Sequence, residues 1–468
     1  MKDEMKSHVI ILAVVIMTVL FSGACGSGGG SGGAPPPPPP PPDANEWTWM
    51  NGASAFNQPG TYGSQGTAGT ANVPGARELA VSWTDASGNF WLFGGNGYDS
   101  TGNGGDLDDL WKYSAGEWTW MSGSNTRNQP ATYGTLGVAA SNNVPGARWG
   151  VAGWIDASGG LWLLGGASYD NGLLNDLWNY NAGEWTWVGG SNMGNQSGVY
   201  GTQGTAGSDN IPGARYTAVS WTDASGNLWL FAGNGYDSTG NNGTLNDLWK
   251  YSAGEWAWMS GSNVVDNQGI YGTQGMAAAS NVPGARNSGV GWIDASGNLW
   301  LFGGLGYDST GAEGNLNDLW KYSVIAGEWT WVGGSNVGGH SGTYGTQGTA
   351  SPNNVPGARY GAVGWTDASG NFWLFGGTSY NPNTATGGWF NDLWKYSAGE
   401  WTWVGGSNVT NQAGIYGNEG TAAAGNIPGA RFASVSWTDT SGNLWLFGGY
   451  GVDSTAEGYL NDLWKYEP

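Results

Sequence analysis

One cysteine, two histidines and 14 basic residues among 468 positions set the first limits on this chain. With Cys25 as the lone cysteine, no disulfide can form within the chain, so no covalent staple holds the fold. Basic charge is scarce against 35 acidic residues, and the formal charge is −21. Eleven of the 14 cations recur at fixed places in a repeat; the others are Lys2, Lys6 and Arg127. No basic patch can be assembled from that set, which argues against nucleic acid and anionic lipid headgroups as partners of the folded part. Phosphate-loop, nucleophile-elbow and zinc-ligand spacings are absent too. Long apolar runs are lacking except for Val9 to Phe21, which is too short for an ordinary membrane span.

That run follows Lys2 and Lys6 and leads through Ser22, Gly23 and Ala24 into Cys25. It reads as an export signal over residues 1–24. The junction resembles the lipobox of bacterial lipoproteins, with Ser22 where a large aliphatic residue is usual. The resemblance implies a diacylated Cys25, and ordinary secretory cleavage nearby is the alternative. Residues 25–45 are a Gly-rich segment followed by Pro35 to Pro42. Eight residues of polyproline II span about 25 Å, a length suited to a stalk between a membrane anchor and a folded domain. The expectation is an exported, envelope-anchored protein that meets the membrane only through its lipid.

What the chain has in excess is glycine and tryptophan: 89 Gly, about 19% of 468 against roughly 7% in average proteins, and 32 Trp. Thirty of those Trp fall at five fixed places in a unit that occurs six times over residues 46–468. The unit starts at a GAR tripeptide, whose arginines are Arg77, Arg148, Arg215, Arg286, Arg359 and Arg431. It continues through WTDASGNLWLFGG and LNDLWKY to EWTW, with a period of about 70 residues. In the third copy, Tyr216 to Thr222 reads as a strand and Asp223 to Asn227 as a tight turn. Leu228 to Phe231 is a strand covered on both faces, ended by Ala232 and Gly233. Leu248 to Tyr251 and Trp256 to Trp258 supply the third and fourth. Such a four-stranded antiparallel meander leaves apolar surface on both faces, which stacking around an axis would cover. The repeats begin with a lone fourth strand, EWTWM at Glu46 to Met50, and end with a third strand, LWKY at Leu463 to Tyr466. The expected fold is therefore an all-β, six-bladed β-propeller whose N-terminal strand completes the last blade.

The double glycine after an apolar strand (Gly94 and Gly95, Gly303 and Gly304, Gly448 and Gly449), then Tyr and then Trp, as at Tyr113 and Trp118, resembles the kelch repeat of galactose oxidase-like propellers. The third copy departs from it at Ala232. The resemblance implies a propeller fold. Family members include galactose oxidase, whose copper site needs two histidines, two tyrosines and a modified cysteine. This chain has only His340 outside the signal, so that chemistry is not expected.

Short turns lie at one end of such units and the long connections at the other, so ligand binding is assigned to the long-loop face. Single-copy residues are the better site candidates there. The residue after each GAR arginine varies: Glu78, Trp149, Tyr216, Asn287, Tyr360 and Phe432. It starts the innermost strand, near the expected mouth of a central channel. Four of the six are aromatic, with faces that suit sugar rings or a peptide, and plugging of that channel is the alternative. Trp389, in the fifth 2–3 loop, is a further candidate. The aspartates of NDLW (Asp109, Asp176, Asp247, Asp318, Asp392 and Asp462) recur with the arginines, each of which is expected to bind carbonyls or an Asp and so lock its copy; a ring of six arginines that reads an acidic sugar is the alternative. Asp99, Asp237, Asp308 and Asp453 in D-S-T segments raise calcium as a ligand, although their spacing matches no EF-hand. No catalytic residue, resident cofactor or structural metal is assigned. The expected role is a monomeric binding or adhesion scaffold for a protein or glycan. The alternative is a sugar-acting enzyme of epimerase or glycosidase type, which requires converging carboxylates; Glu78, Asp209, Asp266 and Glu419 are the irregular acids.

Overall fold

The computed structural model describes residues 45–381 and 386–468. The export signal, Cys25 and the Gly/Pro tract lie outside the described residues. Every regular element among the described residues is a β-strand. In the third copy Val219–Thr222 pairs with Leu228–Tyr236, that strand with Asn242–Ser252, and that one with Glu255–Ser260, all antiparallel. The other copies repeat the order. In the last copy the outer strand comes from the opposite end of the chain: Glu46–Asn51 runs antiparallel to Glu457–Glu467, with Trp47 opposite Tyr466 and Trp49 opposite Trp464.

Local chemistry explains the turns. In DASGN of the third copy, Asp223 Oδ1 accepts the backbone N–H groups of Ser225 and Asn227 at 2.9 and 3.0 Å. Its Oδ2 accepts Trp229 Nε1–H at 2.8 Å, so one side chain closes the turn and fixes the first Trp of the next strand.

Two expectations need correction. The second strand does not end at Ala232 and Gly233 but continues to Tyr236. Its register slips between Phe231 and Gly233, which marks a β-bulge. Ala232 and Gly233 take φ of 64° and 97°, so the pair bends the strand without ending it. The 2–3 loop shrinks to a turn in which Asp237 N–H donates to the Asn241 carbonyl. Nor do the crossing segments wholly project from one face. Gly204 N–H donates to the Trp258 carbonyl at 2.7 Å, and Ala206–Gly207 pairs with Glu255–Ser260. The same bond recurs from Gly66 to Trp120 and from Gly420 to Trp49. The crossing lies along the outer strand because that strand's free backbone groups otherwise face only water and other chains.

The cores sit between neighbouring sheets. Val219, Trp221, Trp229 and Leu248 of the third copy pack with Leu299, Leu301, Trp320 and Trp329 of the fourth. Close packing of this kind needs small residues on the inner strands: a Cβ on Gly291 would lie 2.6 Å from a Val219 methyl. The inner strands contact one another in sequence from Val81–Thr84 to Val435–Thr438, and the last of them contacts the first.

Just before each inner strand one residue takes a left-handed conformation: Leu79, Gly150, Thr217, Ser288, Gly361 and Ala433, with φ between 53° and 67°. Each N–H donates to the carbonyl of the equivalent residue one copy earlier. The bonds run Gly150 to Leu79, Thr217 to Gly150, Ser288 to Thr217, Gly361 to Ser288 and Ala433 to Gly361. Leu79 N–H then donates to Ala433 at 2.9 Å, which returns the series to its start. A left-handed non-glycine residue costs roughly 1–2 kcal/mol. The bond each of them makes, at 2.7 to 3.0 Å, offsets part of that.

Candidate functional site

The recurrent arginines and aspartates form one buried cluster per copy. Arg215 Nη1 and Nη2 donate to Asp247 Oδ1 and Oδ2, both at 2.7 Å. Arg215 Nε also donates to Gly213 O and Nη1 to Ala232 O. Arg77 with Asp109, Arg148 with Asp176, Arg286 with Asp318, Arg359 with Asp392 and Arg431 with Asp462 repeat the geometry at 2.6 or 2.7 Å. All of these side chains are at most 1% exposed, so none presents a donor to a ligand.

Sequence reasoning missed two further members. Asp247 Oδ2 also accepts Tyr200 O–H at 2.6 Å and Trp249 Nε1–H at 2.7 Å. Tyr62, Tyr133, Tyr271, Tyr344 and Tyr416 play the part of Tyr200 in the other copies. The tyrosine comes from the YG of the crossing segment, so one aspartate joins the crossing to the inner and third strands. Burial, with the aspartate beside it, pushes the Tyr200 hydroxyl well above its ordinary range. The signal was available, since this tyrosine also recurs six times.

The variable residues are placed together by register. Tyr216 is opposite Asn234, which is opposite Thr244. The corresponding rows are Glu78, Asn96 and Asp106 in the first copy and Phe432, Tyr450 and Tyr459 in the last. In the fifth, Tyr360 is opposite Thr378 and Thr378 opposite Trp389. Residues that differ between copies thus lie side by side across the strands, one residue beyond the buried arginine. Glu78, Trp149, Tyr216, Asn287, Tyr360, Phe432 and Trp389 are all half-buried. Trp149 meets Tyr216 edge to face at 5.0 Å between ring centroids, and Tyr360 meets Phe432 at 6.2 Å.

Trp389 belongs to a longer aromatic series that bridges three copies. Its ring is 5.6 Å from Tyr450, Tyr450 is 5.2 Å from Tyr459, and Tyr459 is 5.8 Å from Tyr98. Tyr459 O–H donates to Asn96 Oδ1 at 2.9 Å, and Asn96 Nδ2–H to Asp106 Oδ1 at 2.8 Å. Glu78 sits against this series. Its Oε2 is buried and has no hydrogen-bond partner among the described residues. Desolvation alone pushes its carboxyl up to about 7, with no cationic side chain offsetting it. Its charge in turn raises the hydroxyls of Tyr360, Tyr450 and Tyr459, in each case after burial.

The other irregular acids do not join it. Asp209 and Glu419 are exposed on separate crossing segments, and Asp266 Oδ1 accepts Thr244 N–H at 2.8 Å. The D-S-T aspartates are occupied by local donors. Asp237 Oδ1 accepts Thr239 N–H, Thr239 O–H and Asn241 N–H, and Oδ2 accepts Val265 N–H. Burial opposes these bonds, which nevertheless hold the Asp237 carboxyl below the usual range. Among the described residues no group of three or more His, Cys, Asp or Glu is placed to hold a metal ion. His340 lines a groove of about 430 Å³ with Gln274, Glu400 and Trp401. Gln129 takes its place in a groove of the same kind between the first two copies.

Fold and site together define an all-β repeat protein of four-stranded antiparallel sheets with one row of copy-specific side chains per sheet. No family model matches the chain, and no curated protein does. Among solved structures it is similar to one described as the structure of YjhT. Identity is 12%, the match covers 84% of this chain and 95% of that one, and the TM-score is 0.47.

Proposed function

We propose that this chain is a six-bladed, kelch-type β-propeller, lipid-anchored through Cys25 and held off a bacterial envelope membrane by its Gly/Pro stalk. In this reading residues 1–24 are the signal, 25–45 the stalk and 46–468 the propeller. It works as a monomeric binding or adhesion scaffold for a glycan or protein on the long-loop face, without nucleic acid and without a resident cofactor. One observation carries the reading. The residues that differ between copies fall in register rows beside one another, whereas the buried Arg–Asp–Tyr–Trp clusters do not vary. Half-buried aromatic side chains in such rows supply large contact area at low entropic cost. The test is binding of the protein to a panel of glycans and envelope polysaccharides, with a Trp149→Ala, Tyr360→Ala double variant alongside. Binding that the variant loses supports a glycan site in these rows. An unaltered affinity removes them from the site.

A sugar-acting enzyme is the second reading, favoured by Glu78. A carboxyl held near neutrality is what a general acid requires. Turnover of a bound glycan that Glu78→Gln abolishes would support it, and binding without turnover would count against it.

A further inference from the structure

Glu78 is the acid whose position demands explanation. It occupies the place taken in other copies by Trp149, Tyr216, Tyr360, Phe432 and Asn287. A buried carboxylate oxygen without a donor is costly, and structures retain few of them. The titratable groups facing it are Tyr360, Tyr450 and Tyr459, with Tyr98 and Asp106 beyond them and Glu457 beside Tyr450. None of these is cationic. Arg77, its chain neighbour, is committed to Asp109, and Arg127 reaches the Gly104 carbonyl. The tyrosine faces carry negative quadrupole charge, and the whole chain bears −21. A site with an unmet acceptor, aromatic walls and no cation of its own is complementary to one kind of group, a protonated amine with N–H to donate.

We propose that Glu78 and the aromatic series Trp389–Tyr450–Tyr459–Tyr98 bind an amino sugar through its free ammonium group. This rests on the glycan-binding reading above and names the ligand class. The ammonium would donate to the part of the half-buried Glu78 carboxylate that remains accessible, which lets the buried Oε2 share its charge with a cation, while the apolar face of the sugar ring lies against Tyr450 and Trp389. An N-acetylated sugar keeps the ring but replaces the cation with a neutral amide. A neutral amide neither neutralises the carboxylate nor makes a charge-assisted bond.

The experiment is calorimetric titration of the full chain in detergent, at pH 7, with a glucosamine tetramer and its fully N-acetylated counterpart. The free-amine form is expected to bind at least tenfold more tightly. Glu78→Gln, which keeps size and shape, should erase that preference while leaving the melting temperature equal or higher. Tyr450→Ala should weaken both ligands and keep the free-amine form the tighter one. Equal affinity for the two tetramers would overturn the amine assignment while leaving glycan binding intact. A preference that survives Glu78→Gln would overturn the role of Glu78. If neither tetramer binds, the inference is wrong. Binding of a different glycan from the panel would then keep the glycan-binding reading, and silence of the whole panel would remove it and leave a protein as the scaffold's ligand.

Discussion

Asp108 stands where the other copies carry Asn175, Asn246, Asn317, Asn391 and Asn461. Each of those asparagines donates to a proline carbonyl of the next crossing, as Asn246 does to Pro283 at 3.2 Å. A carboxylate cannot donate that bond, whereas a protonated acid can. Burial pushes the Asp108 carboxyl up to about 8, so the folded state holds a proton that the unfolded state releases. Stability should therefore fall as pH rises from the ordinary carboxylate range to about 8. Asp108→Asn should lessen the slope, leaving the part due to Glu78, and stabilise the protein at pH 8 by on the order of a few kcal/mol, read from urea midpoints across pH. Equal slopes in both proteins would contradict this. The buried Arg–Asp pairs set the opposite expectation. Asp247→Ala strands Arg215, Tyr200 and Trp249 at once and should cost roughly 3–5 kcal/mol, measured by chemical denaturation. These pairs were legible in sequence because they recur. Asp108 was legible too, as the one acid in an asparagine column, but its meaning depends on a proline carbonyl that only the fold brings near.

At the scale of the element, the double glycine separates two demands that look alike in sequence. The first position tolerates a side chain: Ala232 fills it in the third copy with φ 64° and no exposure. Replacing it by the glycine of the other copies should relieve left-handed strain and stabilise by about 1 kcal/mol. The second position is stricter. A Cβ would meet carbonyls about equally closely at either position, but φ is 106° at Gly304 against 62° at Gly303, outside the left-handed region a side chain tolerates, so Gly304→Ala should cost more than Ala232→Gly gains. Unfolding midpoints of the two variants test the order, and a larger effect at the first position would refute it. Sequence reading took this glycine pair as the end of a strand, because punctuation by glycine usually means that. A bulge uses the same residues to bend a strand that goes on, and only cross-strand register tells the two apart. The crossing segments misled for a similar reason, since their backbone pairing with the outer strand leaves no hydrophobic alternation to read.

For the molecule as a whole, the decisive join is between the ends of the described chain. Trp47 is 5% exposed and packs on Phe375, Trp464 and Tyr466. Deleting Glu46–Asn51 would strip one edge of Glu457–Glu467 and uncover those rings. The shortened protein should unfold at a lower temperature and aggregate at temperatures where the full chain does not. Light scattering during a thermal ramp would show it, and an unchanged profile would mean that the join is dispensable. The half-units at each end made this pairing readable in advance. The bond series through Leu79, Gly150, Thr217, Ser288, Gly361 and Ala433 was not, since those residues share no side-chain type and only a common φ unites them. All six hydrogen bonds in that series run the same way round. Dipoles arranged head to tail in a closed loop sum to almost nothing, unlike those of a helix, which add along an axis. The part of the backbone field that follows the loop therefore cancels. Side chains then govern the potential that a solute meets in the plane of that loop, and a single exchange such as the acid at position 78 can change it.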